Sequence, residues 1–247
     1  MTQKPAGSMT MTRTSAALLR RARTYLAATA AARGRGGIDG HHGPGRRDRK
    51  HVILFLAANP RGSSSLQIGD ECAQIQRELQ LAPYRDDFRF ESRWAVSVDD
   101  LMRHMTELDP TVIHFSGHGG GSAGLLLQDE QGQPCAVSER ALVRMVGAAA
   151  RHARLVVLNA CYSAMQAEAL RAEVDCVVGM DGAIGDDAAR AFAMRFYGAL
   201  GNRRSIGNAF AQGVAALAAM QPHSEHLPRC LTRDGVDADR VVLYPPI

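Results

Sequence analysis

TVIHFSGHGGGSAG, residues 111–124, decides the fold, and RLVVLNACYSA, residues 154–164, answers it. Each begins as a short, mostly apolar run and stops at a reactive side chain. Residues 112–115 lead to His118 in a run of glycines, and residues 155–158 lead to Cys161 after Asn159 and Ala160. Runs of this length read as strands covered on both faces. Two neighbouring strand ends can bring an imidazole and a thiol together across the 43 positions that separate His118 from Cys161. A Cys–His nucleophilic pair needs that layout.

Outward from these two stretches, strands and helices alternate. Residues 52–58 (VILFLAA) form another apolar strand, broken by Asn59-Pro60-Arg61-Gly62. Residues 66–81 repeat apolar groups at Ile68, Cys72, Ile75 and Leu79, a helical stripe. Residues 88–94 alternate as a second strand, and Ser97 with Asp100 predicts a capping box opening a helix through residue 107. After the His118 strand come a hairpin (residues 124–128 and 135–137 around a turn at 129–133) and a helix capped by Ser138 and running to about residue 150. The Cys161 strand is followed by a helix to about residue 172 and a strand over 175–178. Amphipathic helices over 186–200 and 204–220 and an edge strand over 240–244 complete the chain. The pattern predicts an open, mostly parallel α/β sheet with helices on both faces.

Composition narrows the setting. The chain has 247 residues, 46% of them hydrophobic, enough for one α/β domain with a core. No apolar run approaches the roughly 18–20 residues of a membrane span. Five cysteines without a CxxC pair read as free thiols in a reducing cytoplasm. Cys72, Cys135 and Cys176 lie among apolar neighbours and read as small core residues, and Cys230 carries no signal. The net charge of +4 divides unevenly: residues 1–50 hold eleven Lys/Arg against Asp39 and Asp48, so the remainder is acidic by five charges. The basic balance therefore belongs to the N-terminal segment, and nucleic-acid binding by the domain is not expected. Residues 1–50 read as a basic arm, with an Ala-rich helix over 15–32 and a Gly/Arg linker over 34–50. A transit peptide, or a true start at Met9 or Met11, fits the same composition. The domain is expected over residues 51–247.

The glycines formally match GxGxxG at Gly119, Gly121 and Gly124. That dinucleotide motif must open a helix, whereas Leu125-Leu126-Leu127 and a turn follow here. The alternative is that the glycines let backbone N–H groups approach a reacting carbonyl. His114, embedded in its strand, reads as structural. His114 and His118 together lack the further ligands a metal site needs, so neither a metal nor a cofactor is implied. Cys161 falls where ligands bind in open α/β sheets, with a helix expected to start beside it and favour the thiolate.

HFSGHGG paired with VVLNACYSA resembles the caspase-like clan of cysteine peptidases, specifically its CHAT-domain branch. The resemblance extends over about residues 51–220, including AANPRG after the first strand and the block VVGMDGAIGDDAARAFAMRFYGAL. It implies a cysteine endopeptidase acting through a thioester. Cys161 would be the nucleophile, His118 the general base and acid, and the backbone N–H groups of Gly119 and Cys161 the oxyanion donors. Asn159 stands where caspases carry glutamine. For the pocket that receives the residue before the cut bond (P1), the resemblance offers Asp186, which implies basic P1 residues, or Arg61, which implies aspartate. Asp186 is favoured, and Asp181 is a weaker third candidate. Protein or peptide substrates follow, and relatives imply a regulated bacterial protease of a conflict or cell-death system, switched on by a partner protein. The competing reading is a catalytically silent CHAT-fold interaction module.

Overall fold

The computed structural model describes residues 50–244. The expectations for residues 1–49 lie outside these. Among the described residues no helix is long and apolar enough to cross a membrane. Eight strands form one sheet: β1 (His51–Ala58), β2 (Phe88–Trp94), β3 (Val112–Gly119), β4 (Leu125–Gln128), β5 (Pro134–Val137), β6 (Leu155–Asn159), β7 (Cys176–Met180) and β8 (Pro228–Thr232). Its main order is β2-β1-β3-β6-β7-β8; β4 pairs with the end of β3, and β5 with β4. The five strands from β2 to β7 run parallel, and β8 is antiparallel to β7. This is the open, mostly parallel sheet that the alternation of elements predicts.

Period-two alternation divides the core into two layers. Ile53, Phe55, Val112, Leu155, Val157, Cys176 and Val178 face one side of the sheet. They meet α1 (Ile68–Leu81), α5 (Asp186–Gly201) and α6 (Ile206–Met220). Leu54, Leu56, Ile113, Phe115, Val156, Leu158 and Val177 face the other. They meet α2 (Val98–Leu108), α3 (Glu139–Ala149), α4 (Ala164–Leu170) and the β4–β5 hairpin. The α1 stripe buries as read, through Ile68, Cys72, Ile75 and Leu79, and Glu71 is buried with it. Ser97 and Asp100 form the reciprocal capping box at the start of α2.

Three local expectations are corrected. First, β3 runs on to Gly119: β1 pairs Ser116 and Gly117, β6 pairs Ser116, and β4 folds back to pair Leu126 with His118 and Leu125 with Gly119. Second, the helix expected beside Cys161 begins at Ala164 and has seven residues, so Cys161 and Tyr162 occupy a turn. Third, residues 240–244 form no strand; Val241 and Leu243 are buried against the α5–α6 layer instead. The edge place is filled by β8, in register from Cys176↔Thr232 to Met180↔Pro228.

Candidate active site

The sheet order places a switch point between β1 and β3. The chain leaves β1 through α1 on one face, pairs β2 outside β1, and returns through α2 on the other face to lay β3 inside. Loops diverge beyond the carboxyl ends of such strands, leaving a crevice where open α/β sheets bind ligands. His118 and Cys161 both stand at this end.

Strand register aligns the two residues. In the β3–β6 ladder Ser116 pairs with Asn159, the last residue of β6. His118 and Cys161 each lie two positions beyond that pair, on the parity of the α1–α5 face. The chains stay close beyond the ladder. A Cβ built on Gly119 would stand 2.9 Å from the carbonyl carbon of Cys161 and 3.3 Å from its nitrogen, with the carbonyl oxygen nearer still. Only glycine fits there. Thus Gly119 serves first as the contact that lets the Cys161 turn lie against β3.

The imidazole is held from the loop after β1. His118 Nε2 lies 2.9 Å from the Ser64 carbonyl and 3.3 Å from Asn59 Oδ1. Both are acceptors, so Nε2 carries the proton and donates it. The lone pair of the neutral ring then sits on Nδ1, which is the nitrogen available as a base. His118 is half-buried. Cys161 is half-buried too, and its sulfur lies 3.9 Å from the Ile184 carbonyl. The thiol and imidazole make no hydrogen bond with each other among the described residues; apo catalytic pairs are often loose.

Ser163 anchors the Cys161 turn. Fully buried, it donates to the Leu158 carbonyl at 2.9 Å and accepts from the Met180 N–H at 3.0 Å, tying the ends of β6 and β7 to the turn. Tyr162 takes a left-handed conformation, with φ of 55°, and its N–H donates to the Gly182 carbonyl. Its side chain is exposed. An aromatic residue in that region is costly, as local strain at functional turns often is.

An open pocket adjoins Cys161. Glu71, Ser116 and Asn159 lie deep in it, Leu66, Ile68, Ile184 and Ala189 give it apolar walls, and Asp186 and Arg190 also line it. Of the sequence-derived pocket candidates, Asp186 belongs to this pocket, and so does Asn159, which stands in the place of the caspase glutamine. Asp186 is the first residue of α5 after the N-cap Gly185, and its Oδ2 accepts the Gln67 N–H at 3.4 Å. Arg61 does not line this pocket. It borders a separate groove with Ser97, Asp100 and the 129–132 turn, where its N–H donates to the Gly132 carbonyl. Asp181 forms a half-exposed ion pair with Arg229 at 3.5 Å.

The sequence reading missed Glu71. Its carboxylate is buried and gathers three donors: His114 Nε2 at 2.9 Å, Asn159 Nδ2 at 2.6 Å and Ser116 Oγ at 2.6 Å. His114, wholly buried, pairs through Nδ1 with the Tyr197 hydroxyl at 3.0 Å and stacks on Phe55. Burial, followed by the nearby charge of Glu71, holds the Tyr197 hydroxyl well above its ordinary range, so it remains a donor. The signal lay in helical spacing, since Glu71 occupies a slot between Ile68 and Ile75 on the face that α1 buries.

The CHAT domain family model matches residues 8–230. The chain belongs to the CHAT domain family. Two curated relatives match it: a Roc-COR-CHAT protease from an unknown prokaryotic organism, and a probable protease from Gillisia limnaea. The first is 29% identical over 177 residues, covering 69% of this chain and 17% of the relative. The second is 26% identical over 152 residues, covering 61% and 27%. This CHAT chain therefore spans well under a third of either relative. Among solved structures, the same fold appears in a secreted C11 cysteine protease from Bacteroides thetaiotaomicron held by an irreversible peptide inhibitor. That match has a TM-score of 0.55 at 14% identity and covers 74% of this chain and 66% of that one. It appears also in the Arg-specific cysteine proteinase gingipain R, with a TM-score of 0.54 at 11% identity, covering 79% and 50%.

Proposed function

We propose that this CHAT domain is a cysteine endopeptidase that cleaves protein substrates after basic residues. One observation carries the proposal: Cys161 lines a pocket at the carboxyl edge of the sheet, in register with a histidine whose Nε2–H is held by Ser64 and Asn59. That constraint leaves Nδ1 to take the thiol proton. The thiolate attacks the scissile carbonyl, and backbone N–H groups at Gly119 and Cys161 are the proposed oxyanion donors. His118 passes its proton to the leaving amine, which departs as the thioester forms. It then takes a proton from water as the thioester is hydrolysed, and returns it to the thiolate. A role as a protease switched on by a partner protein, in a bacterial conflict or cell-death system, fits the family and belongs to the same proposal.

The test is a P1-scanning peptide library assayed with wild type, Cys161→Ala and His118→Ala. Cleavage after Arg or Lys that disappears in both variants supports the reading. Cleavage that survives Cys161→Ala overturns it.

A further inference from the structure

We infer that Glu71, rather than Asp186, reads the charge of the substrate side chain entering the pocket beside Cys161. This inference rests on the peptidase reading. The carboxylate is buried and lines the pocket, yet among the described residues no lysine or arginine pairs with it. A buried charge is expensive unless a partner compensates it. Its one ionisable partner is His114, and the Tyr197 hydroxyl fixes how that partner is used. A neutral His114 ring donates from Nε2 to Glu71 and accepts at Nδ1 from Tyr197, satisfying every group. A protonated ring would donate from both nitrogens and leave the fully buried Tyr197 proton without its acceptor. Glu71 is thus held by three hydrogen-bond donors, with no lysine or arginine beside it.

Asn159 helps fix the carboxylate in place. Asn159 is buried, its Nδ2 donates to Glu71, and its Oδ1 has no hydrogen-bond partner. Flipping the amide would set Oδ1 against the carboxylate, so this orientation is forced. The deep end of the pocket presents the Glu71 carboxylate below apolar walls, Leu66, Ile68, Ile184 and Ala189. A ligand group matching it has an aliphatic stem and a donor-rich cationic tip, as in lysine and arginine. Arg190 does not neutralise the site. Its guanidinium is engaged by Gln67 and by two exposed carboxylates, Asp187 and, at 3.5 Å, Asp70. Asp186 is less buried and bonds the Gln67 backbone, leaving it a lesser influence.

The experiment uses two peptidyl acyloxymethyl ketone probes that differ only at P1, arginine against its neutral isostere citrulline. Rates of covalent capture at Cys161 are read by intact mass on the full chain. Wild type should react with the arginine probe at least about 30-fold faster. That ratio should collapse toward one in Glu71→Gln and persist in Asp186→Asn. A general loss of packing would slow both probes together and leave the ratio unchanged, which would count against charge reading by Glu71. A wild-type ratio near one, with Cys161 still captured, overturns the inference and spares the peptidase reading. Loss of the ratio in Asp186→Asn moves the role to Asp186 and overturns it as well, even if Glu71→Gln fails to fold. Capture of Cys161 by neither probe overturns both readings.

Discussion

Gly119→Ala perturbs the contact on which the site depends. The alanine Cβ would stand 2.9 Å from the carbonyl carbon of Cys161, where ordinary contacts begin at 3.4 Å, and would overlap the carbonyl oxygen outright. Relief requires the Cys161 turn to move from β3 by at least about 0.5 Å for the carbon and more for the oxygen. The turn cannot move freely, since Ser163 pins it to β6 and β7. Overpacking of this kind costs about 1–3 kcal/mol, which for a domain of this size lowers the melting temperature by about 2–4 °C per kcal/mol. The larger loss is catalytic, because a displacement near 1 Å between reacting groups costs about 100-fold in rate. Gly120→Ala is the control: φ there is −95°, and its Cβ would meet Ala123 and the Gly124 carbonyl at 3.2 Å. Peptide turnover and melting should be measured on both variants. Gly119→Ala is expected to remain folded with about 100-fold lower turnover, and Gly120→Ala to remain near wild type. Wild-type turnover in Gly119→Ala would refute the claim that this contact fixes His118 against Cys161.

Other outcomes follow from the same geometry. Ser163→Ala leaves the Met180 N–H without its side-chain acceptor and should cost about 1–3 kcal/mol in denaturant unfolding, with a fall in turnover. Ser97→Ala should cost about 0.5–2 kcal/mol at neutral pH through loss of the α2 cap. Hydrogen bonding from Ser97 holds the Asp100 carboxyl below its ordinary value of 3.8. That contribution to stability is complete above pH 4 and fades as pH falls through the depressed folded value, so the difference between Ser97→Ala and wild type should narrow in acid unfolding curves. Burial pushes the Cys72 and Cys176 thiols up to about 12 and Cys230 to about 11. Iodoacetamide at pH 7.5 should therefore label only Cys161 and Cys135, as mapped by peptide mass; rapid labelling of Cys72 would contradict the packing described here.

Much of the architecture was legible because apolar period carries it. Residues 53–58, 112–115 and 155–158 are buried on both faces and read as strands without context, and the Ser97–Asp100 cap is a local signal. What escaped depends on distant partners. Glycines do not advertise a strand, so the apolar run marks β3 only to Phe115; pairing with β1 and β6 carries it to Gly117, and β4 carries it to Gly119. PRCLT looks like a loop and becomes β8 by pairing with β7, whereas RVVLY looks like a strand and packs as coil. Arg203, stacked between Tyr84 and Tyr244 with its guanidinium carbon 3.7 and 3.6 Å from the ring centres, helps hold that coil in place. His118 and Cys161 were singled out from motif spacing, and the structure adds that both lie at the carboxyl ends of adjacent strands and that His118 Nε2 faces the Ser64 carbonyl and Asn59 Oδ1. Glu71 was hidden because one carboxylate in a helix reads as a solvated face; its burial requires Ser116, His114 and Asn159 from two other strands.

The central claim is that His118 activates Cys161, and the most direct measurement is the alkylation rate of Cys161 at pH 6 in wild type and His118→Ala. The account predicts labelling at least about tenfold faster in wild type, with Cys135 reacting equally in both proteins. Equal rates at Cys161 would contradict it.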